Sequence, residues 1–288
     1  MEHNAEPRHL YQEIGEVDLP YLLYNGKTQP IILMHATGFL PWLWHPIARK
    51  LCAEHRVIAP YFCDHRIFEP DQGGLDWMII ARDLATFCEK LNIESPYLVG
   101  HSMGATVLTI AHATFGLRSK GLILIEPIFL PRDFYRTQIK VEQHPLAAKS
   151  IRRRDSWKHK QDALNYLTSK QLFKKWDKEM LDLYIDHGMN ESQNGGLQLA
   201  CSPKREAALF MGGVNYDPWP ILKNVSCPTL ILEGEISENR SYIDLKKAAG
   251  MIANCSYKMV AGAGHLIPME KPQEVTEIIN EFFQLECR

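Results

Sequence analysis

The sequence has 288 residues, of which 45% are hydrophobic, and its 32 basic residues nearly balance its 34 acidic ones, for a net charge of -2. This length suits a large α/β domain that carries an insertion. The balanced charge argues against nucleic acid or an anionic membrane as a partner, and no run approaches 18 apolar residues, the length of a membrane span.

The N-terminal residues 1–8 have no apolar stretch of the kind found in export signals. An odd number of scattered cysteines, with no C-x-x-C pair, is typical of reduced thiols and not of a disulfide frame or a zinc site. They are Cys52, Cys63, Cys88, Cys201, Cys227, Cys255 and Cys287. We therefore expect a cytoplasmic protein with no membrane partner, no cofactor and no metal.

The first third of the chain alternates between β-like and helical patterns. Two short β-like runs, His9–Glu13 and Tyr21–Tyr24, predict an opening hairpin. The apolar run Pro30–His35 is typical of a strand buried on both faces of a parallel sheet. Further stretches continue the alternation: a helix over 42–51, a strand over 56–59, a helix over 77–91, and strands over 96–99 and 121–126. This order predicts a doubly wound parallel sheet.

The alternation stops at Ile128 and resumes after Trp219, and only helical patterns lie between them. Ser169 is a predicted N-cap of a helix that reaches Gly188, and Ser202 caps one that ends at Gly212. The predicted sheet then resumes with strands over 228–233 and 256–260, a helix over 242–251 and a last helix from Pro272. We therefore predict a core formed by residues 1–127 and 220–288, with a helical lid inserted at 128–219.

The pentapeptide from Gly100 to Gly104 joins a predicted strand to a predicted helix, with Ser102 at its centre. Such a turn forces its central residue into a strained conformation, and small residues on either side let the chain segments pass. The Ser102 hydroxyl would then stand at a helix N-terminus, where backbone N–H groups favour developing negative charge. This position suits the formation of an acyl-enzyme.

A serine nucleophile needs a histidine base and an acid that orients that base. His265 follows a late strand in the glycine-rich loop 261–264, which would aim it at the same edge of the sheet as Ser102. Three candidate acids, Glu126, Glu235 and Glu238, follow strands and lie between serine and histidine in the chain. This reasoning leaves the choice among them open.

Four features together resemble the α/β-hydrolases of the lidded serine-hydrolase type, over about His9 to Leu285. They are the segment His35–Gly38, the Ser102 pentapeptide, the loop that ends at His265, and the insertion after Glu126. The resemblance implies an α/β-hydrolase fold, with a mostly parallel eight-stranded sheet flanked by helices and an inserted lid.

The resemblance also bears on the acid. The family usually carries it three residues after the glycine of a Gly-Glu-x-Asp loop, and here Ser237 stands at that place after Gly234. Some relatives carry the acid after the preceding strand, which matches Glu126. The predicted catalytic residues are therefore Ser102, His265 and Glu126, with Glu238 as the alternative acid.

The same resemblance implies an oxyanion hole formed by the backbone N–H groups of Thr37 and Met103. His35 ends a predicted strand, and its position leaves open whether it supports that loop or has only a structural role. His101 is predicted to point into the sheet or the pocket wall. The basic run Arg152–Arg154 is predicted to be a solvated helix face, although an anionic substrate stays open.

The implied function is that of a carboxylesterase-like serine hydrolase acting on a small, partly apolar molecule, as a monomer or homodimer. Aromatic residues of the lid would supply the apolar pocket. A thioesterase, a lactonase or a C–C bond hydrolase would use the same triad. A small-molecule receptor with slow turnover is a further alternative.

Overall fold

The computed structural model describes residues 6–63, 65–136, 138–192 and 195–286. Cys287 and residues 1–5 of the N-terminal segment considered above lie outside this part of the chain. Within it, no helix combines the length and the apolar character needed to cross a bilayer.

Two sheets organise the molecule. The strands are β1 (Arg8–Glu13), β2 (Asp18–Tyr24), β3 (Thr28–Met34), β4 (His55–Pro60), β5 (Tyr97–His101), β6 (Gly121–Ile125), β7 (Ser156–Trp157), β8 (Met189–Glu191), β9 (Leu197–Leu199), β10 (Thr229–Gly234) and β11 (Cys255–Val260). Eight of them form one sheet in the order β1-β2-β4-β3-β5-β6-β10-β11. In this sheet β2 pairs antiparallel with β1 and β4, and the remaining neighbours are parallel. The predicted hairpin and the mostly parallel eight-stranded sheet are confirmed.

Helices cover both faces of the large sheet. In the described part of the chain the α-helices are α1 (His45–Leu51), α2 (Trp77–Lys90), α3 (Met103–Phe115), α4 (Pro145–Ile151), α5 (Lys160–Thr168), α6 (Lys178–His187), α7 (Pro203–Gly212), α8 (Leu245–Met251), α9 (Ile267–Glu270) and α10 (Pro272–Glu286). One apolar layer packs α2, α3 and α8 against the sheet, and the opposite layer packs α1 and α10.

The central strands are apolar on both sides because successive side chains enter opposite layers. On β5, Leu98 belongs to the layer with α2 and α3, whereas its neighbour Val99 belongs to the layer with α1 and α10. On β6, Leu122 and Ile123 divide in the same way. The continuous apolar runs in the sequence therefore correspond to strands that are covered on both faces.

The segment 128–219, which we call the inserted segment, lies between β6 and β10 and contains α4 to α7. The expectation that it holds only helices is wrong, because β7, β9 and β8 form a small antiparallel sheet within it. These strands have two or three residues each, which is too short for an alternating pattern to be recognised in the sequence.

The predicted helix start at Ser169 is also wrong, whereas the start at Ser202 is confirmed. Ser169 follows the end of α5, and its hydroxyl donates to the Tyr166 carbonyl at 2.7 Å. The next α-helix, α6, is capped by Asp177, whose carboxylate accepts from the Glu179 amide. Ser202 accepts from the Arg205 amide at 3.3 Å, and α7 follows.

Candidate active site

A single residue separates β5 from α3, and it is Ser102. Its backbone has a φ of 55° and a ψ of -118°, a conformation that is costly for a residue with a Cβ atom. The Ser102 amide donates to the Ile125 carbonyl at 2.9 Å. Ser102 therefore continues the hydrogen bonding between β5 and β6 while its own backbone turns into the helix.

The two glycines of the pentapeptide allow α3 to pass close to the sheet. A Cβ atom on Gly104 would lie 2.4 Å from the Met34 carbonyl oxygen, and one on Gly100 would lie 2.6 Å from the Ala105 nitrogen. Both distances are far below van der Waals contact. Only glycine fits at these positions while the strands and the helix keep their present spacing.

His265 lies in the loop after β11 and faces Ser102. Its Nε2 is 3.1 Å from the Ser102 hydroxyl oxygen, and its Nδ1 is 2.9 Å from a carboxylate oxygen of Glu126. If Nδ1 carries the proton and donates to Glu126, Nε2 is free to accept the proton of Ser102. The serine, the imidazole and the carboxylate thus form one continuous chain of hydrogen bonds.

Glu126 follows β6 directly and is 1% exposed. Its backbone has a φ of 51°, and its amide donates to the Leu232 carbonyl at 2.9 Å. The carboxylate accepts hydrogen bonds from the Gly234 amide at 2.7 Å and from the Ser237 hydroxyl at 2.8 Å. These donors compensate for the loss of water around a buried carboxylate.

The other two candidate acids lie away from the imidazole. Glu235 is exposed and accepts from the Gly262 amide at 2.8 Å. Glu238 is exposed at the start of a short 3₁₀ turn. Of the three candidates, it is Glu126 that the structure brings to His265.

Sequence reasoning missed two residues beside the imidazole and the carboxylate. Ser237, which stands at the usual place of the family acid, donates to Glu126, and Nδ2 of Asn239 lies 2.9 Å from His265 Nδ1. The serine at the acid position was the available signal. It indicated that this loop carries no carboxylate there, although it gave no indication of the two contacts.

Two buried histidines hold the backbone around the site. His101 Nε2 lies 2.8 Å from the His265 carbonyl oxygen, to which it can donate, so the ring supports the His265 loop. His35 Nε2 accepts from the Phe62 amide at 2.9 Å, and its Nδ1 can donate to the Ala36 carbonyl at 2.8 Å. Burial lowers the pKa of His35 to about 4 and that of His101 to about 3.

The predicted oxyanion donors belong to two buried turns. Thr37 lies within the turn at residues 36–39, which is closed by a hydrogen bond from the Phe39 amide to the Ala36 carbonyl at 3.1 Å. Met103 is the first residue of α3 and is buried. Amides in the first turn of a helix have no carbonyl partner within that helix, so the Met103 N–H is of the type that stabilises an oxyanion.

The inserted segment covers the turn at residues 36–39. The Phe39 ring contacts those of Trp176 and Tyr184, with centroids 5.4 and 5.8 Å apart. The Glu206 carboxylate lies against Gly38 and is paired with Arg153 at 2.8 Å.

The prediction that the whole run 152–154 is solvated is therefore wrong for Arg153. Its side chain is 23% exposed and also donates to the Tyr184 hydroxyl at 3.2 Å. Arg152 and Arg154 are exposed, as predicted, but the run does not form a helix face because α4 ends at Ile151. Among the described residues, no group of three or more His, Cys, Asp or Glu side chains is placed to hold a metal ion.

The comparison with protein families agrees with this architecture. A model described as "Alpha/beta hydrolase family" matches residues 31–278. The chain belongs to the alpha/beta hydrolase family. A related curated protein, the abhydrolase domain-containing protein AFT2-1 of Alternaria alternata, is 25% identical over 221 residues, which cover 65% of this chain and 82% of that protein.

Solved structures share the fold of this alpha/beta hydrolase over nearly its whole length. E-2-(acetamidomethylene)succinate hydrolase has a TM-score of 0.81 at 19% identity, with 96% of this chain and 99% of that one covered. A thermophilic esterase from Thermogutta terrifontis has a TM-score of 0.71 at 22% identity, with 97% of this chain and 99% of that one covered. At these identities the likeness establishes the fold of the hydrolase.

Proposed function

We propose that this protein is a serine hydrolase that cleaves an ester or a related acyl bond of a small, partly apolar substrate through an acyl-enzyme. The observation that carries the proposal is the hydrogen-bonded chain from Ser102 through His265 to Glu126, with distances of 3.1 and 2.9 Å. A serine hydroxyl is a weak nucleophile alone, and a base in this position activates it.

In the proposed reaction the Ser102 oxygen attacks the acyl carbonyl carbon while His265 Nε2 takes the hydroxyl proton. Glu126 keeps Nδ1 protonated and stabilises the imidazolium that forms. The N–H groups of Met103 and Thr37 donate to the oxyanion of the tetrahedral intermediate. Loss of one such donor typically raises the barrier by about 3 kcal/mol.

The intermediate collapses when the bond to the alkoxy group breaks, and the imidazolium gives its proton to the departing alcohol. A water molecule then attacks the acyl-serine, and His265 takes its proton in the same manner. Collapse of the second intermediate returns the proton to Ser102 and releases the carboxylic acid. The net reaction consumes one water for each ester bond.

The aromatic rings beside the 36–39 turn support an apolar part in the substrate. Phe39, Trp176 and Tyr184 pack together next to the proposed oxyanion donor Thr37, and apolar walls with a few polar groups are typical of small-molecule sites. The thermophilic esterase with the same fold makes an ester the first substrate to test.

The decisive experiment combines active-site labelling with turnover. The purified protein is treated with a fluorophosphonate, the labelled residue is located by mass spectrometry, and hydrolysis of p-nitrophenyl acetate is followed with and without Ser102→Ala. We expect labelling at Ser102, a burst of p-nitrophenol, and a loss of rate of about 10⁶-fold in the variant if the triad acts as a unit.

Ser169→Ala, an exposed serine in the inserted segment, is the matched control and should keep the full rate. An unlabelled Ser102, or a Ser102→Ala variant as active as the unaltered protein, would contradict the proposal. Ligand-induced stabilisation with negligible turnover would instead support a receptor.

A series of p-nitrophenyl and CoA esters of increasing acyl length then defines the substrate. Faster turnover of the CoA thioesters than of the oxygen esters would identify a thioesterase that uses the same residues.

A further inference from the structure

The Nδ1 atom of His265 has two close polar neighbours. One is the Glu126 carboxylate at 2.9 Å, and the other is the amide nitrogen Nδ2 of Asn239, also at 2.9 Å. Glu126 follows β6, whereas Asn239 lies in the loop after β10, the adjacent strand of the sheet. Two neighbouring strands therefore each bring one polar group to the same ring nitrogen.

The two orientations of the Asn239 amide suit different tautomers of the imidazole. With Nδ2 toward His265, the amide donates to an unprotonated Nδ1, which is the tautomer whose Nε2 cannot accept the Ser102 proton. When Nδ1 carries the proton, an amide N–H and the ring N–H would oppose each other. Rotation of the amide by 180° removes this conflict and places Oδ1 on the Nδ1–H group.

The hydroxyl of Tyr242 accommodates this rotation. It donates to Asn239 Oδ1, the amide atom that points away from His265, at 2.5 Å. A tyrosine hydroxyl both donates and accepts, so it can donate to Oδ1 in one orientation and accept from Nδ2 in the other. Tyr242 thereby holds the amide in place beside the ring.

We propose that Asn239 is a positioning residue for His265: after the 180° rotation of its amide, which exchanges Nδ2 for Oδ1 beside the ring, Oδ1 is the second acceptor of the Nδ1–H group and helps to fix the ring and its reactive tautomer. This inference rests on the proposed serine hydrolase function. Because the amide is neutral, Asn239 orients the imidazole without adding a second negative charge to that of Glu126.

The sharpest test is the rescue of a variant that lacks the Glu126 charge. On p-nitrophenyl acetate, Glu126→Gln should lose about 10³ to 10⁴-fold in kcat, the size of effect seen when the acid of a triad becomes an amide. Adding Asn239→Asp places a carboxylate next to Nδ1 again, and it should recover at least about ten-fold of that loss.

The matched control for the rescue is Asn224→Asp in the Glu126→Gln background. Asn224 is exposed and precedes β10, so it lies toward the end of that strand opposite to the site. The Asn224→Asp substitution adds the same charge to the protein but does not place it next to His265, so it should recover no activity.

Two further measurements separate positioning from a merely structural role. Asn239→Ala should lower kcat about three- to ten-fold with little change in KM, since one neutral hydrogen bond is lost. Asn239→Asp alone adds an anion that favours the protonated imidazole. It should therefore move the acid limb of the kcat/KM profile to higher pH by about one unit.

The outcomes distinguish this inference from the function on which it rests. If the unaltered protein is not labelled at Ser102, the hydrolase proposal fails and this inference fails with it. If Ser102 is labelled and required, a double variant no more active than Glu126→Gln overturns the inference alone. Where the aspartate variants unfold by circular dichroism, the Asn239→Ala result decides, and an unchanged kcat overturns the inference.

Discussion

Strained backbone marks two of the three residues of the proposed triad. Of the described non-glycine residues, four have a positive φ, and Ser102 and Glu126 are two of them. Such conformations cost about 1–3 kcal/mol each and persist where the surrounding structure determines them. Here the determining contacts are backbone hydrogen bonds from Ser102 to Ile125 and from Glu126 to Leu232.

The identity of the acid is tested at two single residues. Glu126→Gln should lower kcat by about 10³ to 10⁴-fold, because the amide no longer favours the Nδ1–H tautomer of His265. Glu238→Gln, at an exposed position, should leave kcat within about two-fold. The measurement is p-nitrophenyl acetate hydrolysis by the purified variants, and a loss confined to Glu238→Gln would refute the assignment.

Ser237→Ala removes a donor to the buried Glu126 carboxylate. We expect kcat to fall about two- to ten-fold, the effect of one lost hydrogen bond on the orientation of the acid. Ser241→Ala, in the same loop but exposed, is the control and should have no effect. Steady-state kinetics of both variants test this, and equal rates for the two would be evidence against a role for Ser237.

Motif spacing and chain order selected Ser102 and His265 and left three candidate acids, among which the family resemblance then selected Glu126. Sequence reasoning did not find Asn239 or the bond from Ser237 to Glu126. Those contacts depend on the path of the loop 235–241 and on β6 and β10 being neighbours, which no local pattern encodes. It also misjudged Arg153, since the burial of one residue in a basic run is decided by tertiary packing.

At the scale of elements, apolar runs predicted the strands correctly, whereas of two predicted helix N-caps Ser202 is confirmed and Ser169 is wrong. The runs beginning at Pro30 and Gly121 correspond to β3 and β6, because both faces of these strands are covered. Ser169 resembled a helix start, but the chain makes a short 3₁₀ turn at Gln171–Phe173 before α6 begins. Serine has the same local preference at a helix end and at a turn.

The close passage of α3 over the sheet predicts a large effect of one methyl group. Gly104→Ala would place a Cβ atom 2.4 Å from the Met34 carbonyl oxygen, and we expect it to lower the free energy of unfolding by at least about 3 kcal/mol. The control is Gly250→Ala. Gly250 is exposed in α8, and a Cβ atom there would have no neighbouring atom within 4 Å.

The control should therefore be neutral or stabilising by up to about 1 kcal/mol. Urea unfolding measures both variants. A Gly104→Ala protein as stable as the unaltered one would contradict the steric argument.

The pair between Arg153 and Glu206 joins two elements of the inserted segment above Gly38. Glu206→Ala would leave a largely buried guanidinium without its carboxylate, and we expect a loss of about 3 kcal/mol in unfolding free energy. The pair between Lys204 and Glu69 also involves α7 but is 60% and 41% exposed. Glu69→Ala should cost less than about 1 kcal/mol. Equal losses in urea unfolding would contradict this distinction.

At the scale of the whole molecule, the buried histidines link stability to pH. Above about pH 6.5 His35 and His101 are neutral in both the folded and the unfolded chain. Below about pH 6.5 both histidines become protonated in the unfolded chain. In the folded protein the rings stay neutral until the pH falls to about 4 for His35 and about 3 for His101. Stability therefore falls as the pH falls, by about 1.4 kcal/mol per unit for each ring.

We expect urea unfolding to report a lower free energy at pH 5 than at pH 7, and a smaller difference in His101→Gln, whose amide can still donate to the His265 carbonyl. Replacement of the exposed His159 by glutamine should leave the difference unchanged. An identical pH dependence in the His101 variant would contradict the role of burial.

The sheet order has a consequence for how such a protein loses activity. Ser102 and Glu126, the proposed nucleophile and acid, are tied into β5, β6 and β10 in the interior of the sheet, whereas His265, the proposed base, follows β11 at its margin. Marginal strands open at lower cost than interior ones. Mild heat or denaturant should therefore displace His265 first. The resulting species should be compact, with Ser102 still in place, and it should lose turnover before the tryptophan fluorescence of the protein changes.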